Sequence, residues 1–181
     1  FVRRLPEGRR YLIAAGLDTA LHYLEDLRFS RPALDYLASL GQFDAAFLRH
    51  LEAFRFTGEV RAIPEGTAVF ANEPILEVTA PLPQAQLAET FLLNQIHFQT
   101  LMASKAARVT TAAGERPVVD FGARRMHGTD AAVKAARAFH IAGVAATSNV
   151  LAGWTYGLPV AGTMAHSYIE AHADERAAFD D

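Results

Sequence analysis

Residues 117–149 read PVVDFGARRMHGTDAAVKAARAFHIAGVAATSN. A buried-strand pattern, PVVDFG, gives way to a helical one, TDAAVKAARAFHIAG, with Gly143 as its stop, and VAATSN returns as a second strand. The rhythm continues downstream: VLAGWTYG at 150–157 reads as a short helix, PVAGTMAHS at 159–167 as a third strand, and YIEAHADERAAF at 168–179 as a further helix. Alternating units of this kind favour a parallel sheet or a barrel with right-handed crossovers. In such folds the reactive edge lies beyond the C-terminal ends of the strands. Three polar clusters fall there: ARR at 123–125, TSN at 147–149 and AHS at 165–167.

Upstream the pattern changes. The apolar stretch YLIAAGL at 11–17 precedes two helices, LDTALHYLEDLR and RPALDYLASL, the second with Ser30 as a cap before Pro32 and Gly41 as a stop. FDAAFLRHLEAFRF follows as another helix, with Phe43, Phe47, Leu51 and Phe54 at core-facing spacing. Between Phe56 and Pro83, short alternating apolar runs broken at Gly58, Pro64, Gly66, Asn72 and Pro74 carry the signature of antiparallel strands. From Gln84 to Ala113 there is neither Gly nor Pro, so one long helix is expected, closed by Gly114, with Leu87, Phe91, Phe98, Leu101 and Met102 as its apolar stripe. The predicted fold is α/β: an N-terminal α+β domain with its long connecting helix at 1–115, then the first βα units of an irregular, barrel-like α/β domain at 116–181.

Composition narrows the function. With 17 basic against 20 acidic residues, the chain offers no electrostatic reason to bind nucleic acid or an anionic membrane. Its apolar runs are short and interrupted, so no membrane span or signal peptide is read. The absence of cysteine removes disulfides, thiolate zinc sites and thiol nucleophiles, and suits a cytoplasmic protein. His127, His140, His166 and His172 show no metal-ligand spacing, and no metal site is expected within these residues. A serine hydrolase would need a nucleophile elbow, which is absent, and Ser167 would point away from His166 along a continuing strand. The glycines of TAAGERP and GARRMHG match neither a Walker loop nor a dinucleotide fingerprint. What the edge does offer is guanidiniums for an anion, hydroxyl donors and an imidazole that is nucleophilic when neutral. Trp154, Tyr156 and the acidic tail DERAAFDD read as packing and solubility.

Four stretches, NEPILEVTAPLPQAQLAETFLLNQIHFQTLMASKAAR, DFGARRMHGTDAAVKAARA, TSNVLAG and GLPVAGTMAHSYI, together resemble the nicotinate phosphoribosyltransferase family over nearly the whole chain. The resemblance implies a homodimeric enzyme of NAD salvage that joins nicotinate to 5-phosphoribosyl 1-pyrophosphate, releasing nicotinate mononucleotide and pyrophosphate. It further implies magnesium and coupled ATP hydrolysis, which classes the enzyme with ligases. The histidine of GTMAHS, here His166, is by that resemblance the residue ATP phosphorylates. Thr163 matches a nicotinate-contacting position, Phe121 one that stacks on the pyridine ring, and Arg124 one that meets the substrate's anionic groups. Arg125 either shares that work or pairs with a carboxylate.

Ser148 occupies the place where nicotinamide-using relatives resemble one another in carrying Asp. An Asp would repel the nicotinate carboxylate, whereas a hydroxyl can donate to it. Alternatively, Ser148 and Asn149 simply cap the following helix. The chain opens on Phe1 rather than Met, and the family's N-terminal tyrosine, later strands, acidic residues and phosphate loop have no counterpart here. The chain is therefore expected to be a piece of a longer enzyme, inactive alone and exposing apolar sheet edges. Two other readings stay open: a nicotinamide phosphoribosyltransferase, or a non-catalytic paralogue that binds a pyridine compound.

Overall fold

In the computed structural model, which describes residues 4–5 and 7–180, everything is arranged about one helix. This is α4 (Leu82–Ala113), 32 residues that start with Pro83 in the first turn and end where Gly114 takes φ +63°. At 1.5 Å per residue it runs about 48 Å. Its first half carries α1 (Leu17–Asp26), β1 (Leu12–Ile13) lies along the turns from Ile96 to Ser104, and its second half packs against α5 (Thr129–Ile141).

The stripe that α4 buries differs from the one its large residues suggested. Leu87 is exposed and Phe91, Phe98, Leu101 and Met102 are only partly buried, while Ala88, Leu92, Gln95, Gln99, Ala103, Ser104, Ala106 and Ala107 are covered. The reason is close approach. A Cβ added to Gly16 would sit 2.7 Å from the Gln95 carbonyl oxygen, so the chain crosses α4 backbone to backbone, and no aromatic ring lies in the covered stripe. Polar residues in the stripe complete the hydrogen bonding of β1. Ser104 Oγ accepts from the Ile13 amide at 2.8 Å, and Thr100 Oγ1 both accepts from the Ala15 amide and donates to its carbonyl. A helix thus satisfies amides that a neighbouring strand would otherwise take.

On the other edge of β1, β3 (Ala68–Val69) pairs antiparallel, Leu12 opposite Val69. A second antiparallel pair, β2 (Glu59–Ala62) with β4 (Leu76–Thr79), lays Val60, Leu76 and Val78 over Ala20, Leu24, Ala88 and Leu92. The turns fall at the expected Gly66 (φ +85°) and Asn72 (φ +67°). Helix α2 (Arg31–Ser39) is capped by Ser30, whose hydroxyl accepts from the Ala33 amide, and α3 (Ala45–Glu52) by Asp44, accepting from Phe47. Leu51 and Phe54 are buried as expected, but Phe43 and Phe47 stack on each other at the surface, ring centroids 5.4 Å apart. Helix α3 packs mainly along α2, so only its last turn reaches the core.

Beyond Gly114 the strand–helix rhythm holds for its first unit. β5 (Val119–Asp120) and β6 (Ala146–Thr147) are parallel, Asp120 opposite Thr147, with α5 between them. The third strand expected over 159–167 contracts to a single parallel bridge, Thr147 to Val160. Residues 161–165 carry no regular structure, and the final helix divides into α7 (His166–Glu170) and α8 (Glu175–Asp180), with Asp174 accepting from the Ala177 amide. His166 and Ser167 therefore open a helix and do not alternate along a strand. Gly162, with no Cβ to favour a pleat, lies in the segment that leaves the sheet. Helix α6 (Val150–Tyr156) lies tight on the bridge residue, since a Cβ on Gly153 would overlap Val160. That choice of face turns Trp154 outward, 83% exposed, contrary to its reading as a packing residue.

The two parts of the chain are joined by a partly buried ion pair. Arg137 on α5 donates to Glu65 at 2.6 and 3.0 Å, and Glu65 Oε1 also accepts from the Gly16 and Leu17 amides at the start of α1. Tyr156 lies beside the guanidinium, 5.7 Å from ring centroid to Cζ. Burial alone would raise the Glu65 carboxyl, but the Arg137 hydrogen bonds and charge, with the two amides, outweigh it and hold the group below the usual carboxylate range. A carboxyl depressed in the folded state contributes stability that is present above its unfolded value and lost as pH falls through the folded value. Glu65→Gln, measured by thermal unfolding, should cost about 2 kcal/mol at neutral pH, because Arg137 and the Gly16 and Leu17 amides lose their charged acceptor and the guanidinium keeps only the more distant Asp18, at 3.9 Å. The gap to wild type should close progressively as the acid limb is entered.

Candidate functional site

The two-residue strands β5 and β6 and the Val160 bridge end side by side, and the predicted functional residues follow those ends. Thr147 is the centre of the arrangement: its amide donates to Pro159 O at 3.0 Å and its carbonyl accepts from Ala161 at 3.0 Å, while the Ser148 amide donates to Asp120 O at 2.8 Å. Phe121 and Ser148 leave the edge as neighbours, and the chain toward Thr163 leaves beside them.

After β5 the backbone turns at once. Asp120 Oδ1 accepts from the Gly122 amide at 2.8 Å, and Ala123–Arg125 form one turn of 3-10 helix. Phe121 is 46% exposed on this turn, an aromatic face turned to solvent. Arg124 and Arg125 are exposed and form no ion pair among the described residues. The carboxylate alternative for Arg125 is thus not realised within them; of the two acidic residues nearest in sequence, Asp120 is engaged by an amide and a hydroxyl and Asp130 pairs with Lys134.

After β6, Asn149 does what the capping alternative required. Its Oδ1 accepts from the Ala152 amide at 3.1 Å, committing that oxygen to the start of α6. Ser148 is half-buried, and its hydroxyl takes no part in the cap. Thr163 is exposed in the irregular 161–165 segment. His166 is the exposed first residue of α7, six positions past the Val160 bridge, with no hydrogen bond to its ring among the described residues.

A cleft of about 340 Å³ opens against β5, lined by Phe121, Arg125, His127 and Lys105 together with Met102 and Phe139. It brings two of the predicted residues, Phe121 and Arg125, into one concave, partly cationic space; Arg124, Ser148, Thr163 and His166 lie outside its lining. A larger cleft of about 380 Å³ between the N-terminal segment and α4 contains none of them.

Two contributors escaped the sequence reading. Asp120 was visible only as part of a strand, although Asp followed two residues later by Gly is the signature of a side chain that accepts its own turn's amide. Thr147, 2% exposed, looked like strand filler.

Residues 1–97 match the model of the nicotinate phosphoribosyltransferase (NAPRTase) N-terminal domain. The chain belongs to the nicotinate phosphoribosyltransferase family. A nicotinate phosphoribosyltransferase of Mycobacterium tuberculosis is 58% identical over 180 residues, and that of Bacillus subtilis 46% identical over 179. Each alignment covers 99% of this chain but only 39% and 36% of those relatives. In three dimensions the chain is similar to the crystal structure of human nicotinic acid phosphoribosyltransferase, with a TM-score of 0.85 and 39% identity over 94% of this chain and 35% of that one. The nicotinate phosphoribosyltransferase fold therefore accounts for the mixed α/β architecture, including strands so short that pattern alone overstated one of them. Among the described residues no helix is long and apolar enough to cross a membrane, and no group of three or more His, Asp or Glu is placed to hold a metal ion.

Proposed function

We propose that the protein to which this chain belongs transfers the phosphoribosyl group of 5-phosphoribosyl 1-pyrophosphate to nicotinate, yielding nicotinate mononucleotide and pyrophosphate in NAD salvage. The observation that carries this is the shared strand edge: an exposed aromatic ring, two arginines without acidic partners among the described residues and a neutral hydroxyl, in a chain of this family. Phe121 stacks on the pyridine. Arg124 meets the substrate's anionic groups, with Arg125 beside it, and Thr163 approaches the base from the neighbouring segment. Ser148 donates to the nicotinate carboxylate. In the same reading ATP phosphorylates His166, the chain divides near residue 115, and the complete enzyme is a cytoplasmic homodimer.

Magnesium accompanies the pyrophosphate substrate and ATP in this proposal, and no step is assigned to it. The described residues do not fit a resident ion, since they hold no suitable acidic group and Asp120 has both oxygens engaged.

Ser148→Asp in the complete protein tests the base assignment. A carboxylate about 4 Å from the nicotinate carboxylate, at an effective dielectric near 20, opposes binding by up to about 4 kcal/mol. Nicotinate kcat/KM should fall on the order of 10²-fold, and nicotinamide, whose amide nitrogen donates to an Asp, should lose far less. An unaltered preference would contradict the placement of Ser148.

A further inference from the structure

We propose that Asp120 and Thr147 form a positioning pair that locks the Phe121 turn to the Ser148 turn, so that the two faces of the pyridine site are set by one carboxylate. The proposal rests on the phosphoribosyltransferase reading above for what the turns bind, and on the geometry alone for the coupling. Asp120 Oδ1 accepts from the Gly122 amide at 2.8 Å, inside the turn that carries Phe121 and Arg124. Its Oδ2 accepts from Thr147 Oγ1 at 2.9 Å. The same Thr147 oxygen accepts from the Asn149 amide at 3.1 Å, and Asn149 in turn caps α6. The hydrogen-bond chain therefore runs from one substrate-bearing turn, through a carboxylate and a buried hydroxyl, to the other.

The donor and acceptor sense fixes the residue types. Asp120 must accept on both oxygens, which only a carboxylate does; an asparagine keeps one acceptor and turns an NH₂ toward the other partner. Thr147 must donate and accept through a single atom, which a hydroxyl does and a methyl does not. No cation competes for the carboxylate, since Asp120 takes part in no ion pair among the described residues. The turn is also tight at the carboxylate, because a Cβ on Gly122 would stand 3.0 Å from Asp120 Oδ1.

The test uses the complete protein and two readouts. In Asp120→Asn and Thr147→Val, amide hydrogen exchange should quicken about tenfold at both turns, residues 121–125 and 148–149, the equivalent of one lost hydrogen bond. Nicotinate KM should rise about tenfold in both variants while the KM for 5-phosphoribosyl 1-pyrophosphate moves less than about twofold. Thr147→Ser, which keeps the hydroxyl, should restore both. Faster exchange confined to the mutated turn overturns the proposal, as does an unchanged nicotinate KM in protein whose exchange has changed. If the wild-type protein uses neither pyridine base, the functional reading falls by itself, and the exchange pattern still decides whether Asp120 couples the turns.

Discussion

Gly16→Ala is expected to destabilise the protein by about 3 kcal/mol or more. Two penalties combine at this position. Gly16 holds φ +100°, outside the region that residues with a Cβ readily adopt, and the added methyl would meet the Gln95 carbonyl oxygen at 2.7 Å. The obstacle is backbone in the middle of a long helix, so no side-chain rotation relieves it. A shift of β1 away from α4 would also break the Ser104 and Thr100 hydrogen bonds to Ile13 and Ala15. Chemical denaturation of wild type and variant gives the difference directly. Gly41→Ala is the control for φ, having φ +64° but open space around its missing Cβ, and should cost about 1 kcal/mol. Equal losses at the two positions would show that close approach to α4 contributes nothing.

His166→Ala in the complete protein is expected to abolish ATP stimulation and leave weak basal transfer to nicotinate. The imidazole is exposed at the start of a short helix and forms no hydrogen bond among the described residues, so its removal should change stability by less than about 0.5 kcal/mol. The kinetic result is thereby cleanly separated from folding. In the proposed cycle a ring nitrogen attacks the γ-phosphorus of ATP, an N–P bond forms as the bridging P–O bond breaks, and ADP leaves. Water later cleaves the N–P bond and releases phosphate. Labelling with γ-phosphate-labelled ATP should mark wild type and not the variant. Unchanged ATP coupling in His166→Ala would remove the residue from that role.

What was legible in the sequence follows from which forces act locally. The limits of α4 were readable because glycine and proline punctuation is local, and the caps at Ser30 and Gly114 are properties of single residues. The βα rhythm showed at β5, α5 and β6, where strand pattern and helix pattern alternate cleanly. It failed at 159–167, because PVAGTMAHS has a strand's apolar start but no partner pattern to say how far pairing extends. The buried face of α4 was misassigned for a related reason. Size marks burial only where neighbours stand at ordinary distance, and at Gly16 they do not. The Glu65–Arg137 pair could not have been read, since its members stand 72 positions apart and each alone looks like a surface charge. Within the candidate site, the residues proposed to meet substrate were chosen by their chemistry and by resemblance. Asp120 and Thr147, which hold those residues in place, became visible only when the strand register set them opposite each other.

The central claim is most directly tested by giving the purified complete protein 5-phosphoribosyl 1-pyrophosphate, magnesium and ATP with either nicotinate or nicotinamide, and following mononucleotide formation. The expected result is product from nicotinate and little from nicotinamide, as the proposed role of a neutral Ser148 requires. Equal turnover of both bases would contradict the base assignment, and no product from either would contradict the assignment of a phosphoribosyl transfer.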